Sequence, residues 1–180
     1  MDNKILISIG RQLGAGGLEV AAALSERLGI KVYDRDLLTQ AAKANGLGSD
    51  IFERRDERPI SLGRFWRVFG LRGSYVEAQM YLPDTVTSDD SIFRLQSQVM
   101  LDIAGQGSGI FVGRCSDYIL RDAPELLSVF ITADMSDRVE RIMKRDGMTR
   151  REAEHFIEHG DRQRASYYNY YTFKEWGNSS

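Results

Sequence analysis

The residues of this 180-residue chain best suited to chemistry are arginines and carboxylates set beside a run of glycines. Ile5-Leu6-Ile7-Ser8-Ile9-Gly10-Arg11-Gln12-Leu13-Gly14-Ala15-Gly16-Gly17 carries an apolar stretch into a glycine-rich turn and then into a segment of helical pattern. Such a turn lets successive backbone N–H groups converge on one anion, and the following helix adds its unpaired amides and the positive end of its dipole. The candidate phosphate contacts are Arg11, Gln12, Gly14, Ala15, Gly16, Gly17 and Leu18. Set against G-x-x-x-x-G-K-[ST] with Gly16 as the second glycine, Arg11 takes the first-glycine position, Gly17 the lysine and Leu18 the hydroxyl. The loop therefore lacks the usual phosphate-reaching ammonium and Mg²⁺-binding hydroxyl. The dinucleotide pattern G-x-G-x-x-G fits worse, because Glu19 stands where its last glycine belongs. Tight strand-to-helix packing is the other use such glycines have.

A second group lies in Arg138, Arg141, Arg145, Arg150 and Arg151, followed by Asp161-Arg162-Gln163-Arg164. Two helix-patterned segments meet near Gly147-Met148-Thr149, where Thr149 can cap the second and Glu152 complete a capping box. A helical hairpin presenting arginines from both arms suits phosphoryl transfer, since it can close over charge spread across the group in flight. Arg138, Arg141, Arg162 and Arg164 are the catalytic candidates. A charge-rich, solvated helix pair is the alternative. His155 and His159 stand four apart but miss the order H-E-x-x-H, so a helix surface is expected there and no resident metal site.

The elements that must position these groups read as a parallel α/β pattern. Leu18 to Leu28 is an amphipathic helix stopped by Gly29, Lys31 to Asp34 a short strand, and Arg35 to Lys43 helical again. Residues 45 to about 90 are irregular and read as a helical insertion. Asp89 or Asp90 can cap a helix running to about Ala104, with Phe93, Gln96, Val99, Met100 and Ile103 inward. Strands follow at Gly109 to Gly113 and Leu126 to Ile131, then a helix from about Ser136 to Arg145. Ligands of such sheets bind beyond the carboxyl ends of the strands. Those ends carry Arg11 and Gln12, then Asp34, Arg35 and Asp36, then Arg114 and Asp117, then Thr132 and Asp134. That mixture of guanidinium and carboxylate suits a phosphorylated ligand, with Mg²⁺ as a companion.

Composition narrows the classes further. A net charge of -2 gives no global argument for nucleic-acid or membrane binding, so phosphate recognition must come from local arginines. The single cysteine, Cys115, precludes an intramolecular disulfide and is expected to be a packed thiol. Apolar runs are strand-sized, with neither a leader nor a span evident, so a cytoplasmic, single-domain protein is expected.

Four blocks in colinear order resemble the cytidylate kinase-like family: the glycine loop, Val32-Tyr33-Asp34-Arg35-Asp36-Leu37-Leu38, Ile110-Phe111-Val112-Gly113-Arg114-Cys115-Ser116-Asp117-Tyr118-Ile119-Leu120, and Asp161-Arg162-Gln163-Arg164-Ala165-Ser166-Tyr167-Tyr168. The resemblance implies a three-layer α/β/α P-loop kinase fold with a helical NMP-binding insertion at about 45–90 and an arginine-rich lid at about 136–170. It implies ATP with Mg²⁺ as donor and a nucleoside monophosphate, CMP or dCMP first, as acceptor. By that likeness residues Arg11 to Leu18 hold the donor phosphates, Asp34, Arg35, Arg114 and Asp117 face the acceptor, and Arg138, Arg141, Arg162 and Arg164 belong to the lid. It also implies a last core strand beyond Trp176-Gly177-Asn178. Cytidylate kinases proper carry lysine where Gly17 stands, and many members of the like-family carry arginine where Leu18 stands. Arg11 can substitute for these cations from the other side of the loop. A nucleotide- or phospholigand-binding protein that kept the fold without turnover is the rival reading.

Overall fold

The computed structural model describes residues 4–34, 38 and 86–178. The helix expected at Arg35 to Lys43, apart from Leu38, and residues 45–85 of the insertion expected at about 45–90 lie outside the described residues, as does Arg35 itself.

β1 (Leu6–Arg11) leads into α1 (Gly17–Leu28) and β2 (Val32–Tyr33), and α2 (Val86–Gln106) precedes β3 (Gly109–Val112). A short α3 (Ser116–Ile119), β4 (Leu126–Ile131), α4 (Met135–Asp146) and α5 (Arg150–Thr172) complete the order. The strands form one parallel sheet in the order β2-β3-β1-β4. All four carboxyl ends therefore share one edge, and β1 with its glycine turn lies inside the sheet, between β3 and β4. The near-continuous apolar runs of β1 and β3 follow from burial on both faces.

Alternation along the strands separates the two faces. Leu6 and Phe111 pack with Val99, Met100 and Ala104 of α2 and with Leu120, while Ile7, Ile9, Ile110 and Val112 pack with Ala21 of α1 and Ile30. Helices cover both sides, giving the expected three layers. A polar residue inside this sheet needs a partner, and Ser8 finds one in Ser116, Oγ to Oγ 2.6 Å.

The capping box at the start of α5 forms as its sequence requires: Thr149 Oγ1 accepts from the Glu152 amide and Glu152 Oε2 accepts from the Thr149 amide at 2.8 Å. The Thr149 hydroxyl, which donates to Glu152 Oε2 at 2.7 Å, and then the Thr149 amide hold the Glu152 carboxyl below its ordinary value. The inward residues of α2 also stand as expected, with Gln96, Val99 and Met100 buried. Asp89 and Asp90, by contrast, lie within α2 and not at its cap. The Asp90 carboxylate instead accepts the Tyr171 hydroxyl at 3.0 Å. No helix of the described residues is long and apolar enough to cross a membrane.

Candidate functional site

The loop after β1 is built from left-handed turns. The Gln12 amide still donates to Ile131 O of β4 at 3.0 Å, after which Gly14 (φ 76) and Gly16 (φ 85) reverse the chain into α1. A residue with a Cβ is strained in that region, which accounts for glycine at these two points. Gly16 is the N-cap and brings no side chain to the first turn of α1, so the amides of Gly17, Leu18 and Glu19 lack the usual side-chain cap. The Leu18 side chain packs against the α1 face of the sheet, which leaves its backbone amide as the part that can face an anion.

Leu13 anchors this loop by every group it has. Its side chain is fully buried among Val139, Ile142, Ala153 and Ile157 of the α4–α5 hairpin. Its amide donates to Asp161 Oδ1 at 2.7 Å, and its carbonyl accepts from Arg138 Nη1 at 3.3 Å. Arg138 and Asp161 close the clasp with an ion pair of 2.5 Å, the Arg138 side chain being only 7% exposed. Of the arginines expected to face a ligand, Arg138 is thus spent on holding the loop and the hairpin together.

Other arginines reach the loop from above. The Arg141 guanidinium lies over Gly16, Nη1 standing 3.3 Å from where a Cβ there would be, and pairs with Glu19 at 3.4 Å. Arg164 Nη1 donates to the Arg11 carbonyl at 3.2 Å. Arg162, on the neighbouring face of α5, is 73% exposed and pairs with Glu158, while Arg145 pairs with Asp146. The structure therefore brings Arg11, Arg141 and Arg164 together at the loop and leaves Arg162 outside it.

The acceptor-side residues follow β3. Gly113, Arg114 and Cys115 have φ of 73, 57 and 58°, so two residues with side chains hold left-handed conformations at the edge of the sheet. Strain of this kind costs on the order of 1 kcal/mol or more per residue and persists only where its surroundings impose it. Its consequence here is to place the Arg114 guanidinium over the Tyr167 ring at 4.8 Å and to start α3. Asp117 on α3 accepts the Tyr168 hydroxyl at 2.6 Å. Partial burial, then that carboxylate, push the Tyr168 hydroxyl well above its ordinary value. Tyr171 stacks on Phe93 of α2 at 4.0 Å and fixes the face of α5 that carries Tyr167 and Tyr168. Asp34 directly follows β2, in which Tyr33 stacks on Phe111 at 5.4 Å.

The family model of the cytidylate kinase-like family matches residues 6–180. The chain belongs to that family. A protein of Eubacterium ventriosum, solved as an uncharacterized protein, shares 27% identity with this cytidylate kinase-like chain and superposes with a TM-score of 0.70, over 98% of this chain and 83% of that one. A shikimate kinase from Bacteroides thetaiotaomicron matches at 14% identity and TM-score 0.49, over 92% and 82%. A gluconokinase from Sinorhizobium meliloti matches at 16% and 0.46, over 87% and 74%. No curated protein matches. Family, parallel sheet and glycine loop together give this cytidylate kinase-like chain the α/β fold of the P-loop kinases.

The donor set does not fit a metal held by the loop itself. Leu18 offers hydrocarbon where a hydroxyl would ligate, Asp117 is engaged by Tyr168, and no group of three or more His, Cys, Asp or Glu that could hold a metal occurs among the described residues. Leu13 and Asp161 were not among the site residues expected from sequence. The one local signal is a bulky apolar residue inside a glycine turn, which has to be buried somewhere.

Cys115 is the packed thiol that its sequence context predicts. It is buried, and desolvation followed by the nearby Asp117 carboxylate pushes it up to about 12 against the opposing pull of Arg114. The folded cytidylate kinase-like protein is expected to resist iodoacetamide at about pH 8, because the thiolate is the nucleophile. Mass spectrometry of native and denatured samples checks this, and rapid native alkylation would contradict it.

Proposed function

We propose that this protein transfers the γ-phosphoryl group of ATP to a nucleoside monophosphate, with CMP and dCMP the first acceptors to test. The observation that carries the reading is the open amide end of α1 with Arg141 over Gly16, flanked at the end of β1 by Arg11, whose stem lies beside Gly17, and by Arg164 on the Arg11 carbonyl. That arrangement supplies fixed dipoles and delocalised cations where negative charge has to be held, and phosphoryl transfer asks for little more than position and charge stabilisation.

In this reading the backbone from Gly14 to Leu18 cradles the donor phosphates, with Gln12 and Ala15 shaping the turn. Arg141 and Arg164 act over the transferring group. Asp34, Arg35, Arg114 and Asp117 serve the acceptor, and Arg138 acts indirectly by clasping Leu13. ATP arrives with its own Mg²⁺, which reduces the charge of the phosphates, and a cytoplasmic location follows from the need for ATP. The rival reading, a nucleotide-binding protein without turnover, draws on the leucine packed inward where the metal-binding hydroxyl usually stands.

A coupled ADP-release assay across nucleoside monophosphates, run with thermal-shift titrations of ATP and CMP, separates the two. Acceptor-dependent ADP release supports the kinase. Saturable binding of ATP and CMP with no turnover on any acceptor supports the rival, and binding of neither nucleotide removes both.

A further inference from the structure

The absent loop cation has a structural counterpart in Arg11. A Cβ built on Gly17 would stand 2.7 Å from Arg11 Cβ, 2.9 Å from Cγ and 3.3 Å from Cδ. The methylene stem of Arg11 thus fills the space into which a lysine at position 17 would have to grow. Its guanidinium continues across the edge of the sheet to Gly113, where an added Cβ would collide with Nη1 and lie 3.4 Å from Cζ. Glycine stands at both points along one path, and Gly113 opens the left-handed turn that carries Arg114.

We infer that Arg11 is the relocated phosphate cation of this site and that it reads the terminal phosphoryl group of the donor. The inference rests on the donor site proposed above. A lysine on the first turn of the helix reaches the β- and γ-phosphates alike. Arg11 begins at the end of β1 and ends beside the β3 turn, so its charge falls between the loop and Arg114. The part of a bound nucleoside triphosphate nearest that gap is its terminal phosphoryl group, which a planar fork can grip by two oxygens. Arg11 and a lysine at position 17 are thus mutually exclusive solutions to one problem.

The test is calorimetric titration of the full chain with ATP and with ADP. The parent is compared with Arg11→Met, Gly17→Lys and the double variant Arg11→Gly/Gly17→Lys, which also removes the Cβ nearest position 17, with folding followed by circular dichroism. Arg11→Met keeps a stem across Gly17 and removes the charge. It is expected to weaken ATP by about tenfold or more, as loss of a charge-assisted bond does, and to weaken ADP much less. Gly17→Lys alone should fail to tighten ATP, or fail to fold, because the stem of Arg11 is in the way. The double variant should fold and regain ATP binding through the new lysine.

ATP binding by Arg11→Met equal to that of the parent overturns the inference and leaves the donor site standing. So does equal weakening of ATP and ADP, or a Gly17→Lys chain that gains affinity with Arg11 in place, or a folded double variant without regained binding. A parent chain that binds neither nucleotide removes the donor site itself, and this inference with it.

Discussion

Asp161→Ala is expected to lower the unfolding free energy by about 3–5 kcal/mol, because removing one partner of a buried ion pair leaves the other charge desolvated and unpaired. The charge left behind is Arg138, 7% exposed against 17% for Asp161. The same substitution takes the acceptor from the Leu13 amide, which donates to Asp161 at 2.7 Å. Asp161→Asn should fall between parent and alanine variant, since it retains an acceptor for that amide and loses the charge. Urea unfolding measures the difference, and hydrogen exchange at the Leu13 amide reports the clasp locally. An Asp161→Ala chain as stable as the parent, with the Leu13 amide still protected, would show that the clasp contributes nothing.

Arg164→Ala should reduce kcat by about a hundredfold or more, as loss of a group acting on transition-state charge does, while Arg162→Ala leaves turnover near the parental value. The two arginines lie two positions apart and differ in where α5 points them. Asp161, Arg164 and Tyr168 recur at helical spacing and reach Leu13, the Arg11 carbonyl and Asp117. Arg162 is turned about 100° from Asp161 around the axis and pairs with Glu158 in solvent. An exposed pair of that kind contributes about 0–1 kcal/mol, so little stability is lost with it. Arg164→Lys should rescue poorly, since a point charge cannot hold the Arg11 carbonyl and a phosphoryl oxygen as a fork does. Steady-state kinetics on the acceptor found by the ADP-release screen decides, and if the parent binds without turnover, ATP dissociation constants serve instead. Equal losses in both variants, or a larger one at Arg162, would put the wrong face of α5 over the site.

Patterns confined to neighbouring residues are legible in the amino-acid string itself. Strands at Leu6–Arg11, Gly109–Val112 and Leu126–Ile131, the helix at Met135–Asp146 and the Thr149–Glu152 box lie within a residue or two of where periodicity and capping put them. Strand alternation, helical repeat and cap are set by bonds and packing inside a few residues, so the local string determines them. The order of strands, β2-β3-β1-β4, is set by packing between distant segments, and the glycine turn declares an anion site without naming its cation.

Arg138 and Arg141 show where that reading stops. Three positions apart, they look like one face of a helix, yet the step leaves them about 60° apart around the axis. That offset suffices to bury one against Asp161 and leave the other over Gly16. Likewise Leu18 occupies the hydroxyl position of the phosphate-loop pattern, while packing turns its side chain inward. Local chemistry along the chain is enough for the elements, the open amide end of α1 and the supply of arginines. Tertiary structure alone decided which arginine faces a ligand and which braces the loop, because those roles depend on partners as distant as Leu13 and Asp161, 148 positions apart, whose meeting is set by packing and not by anything local to either.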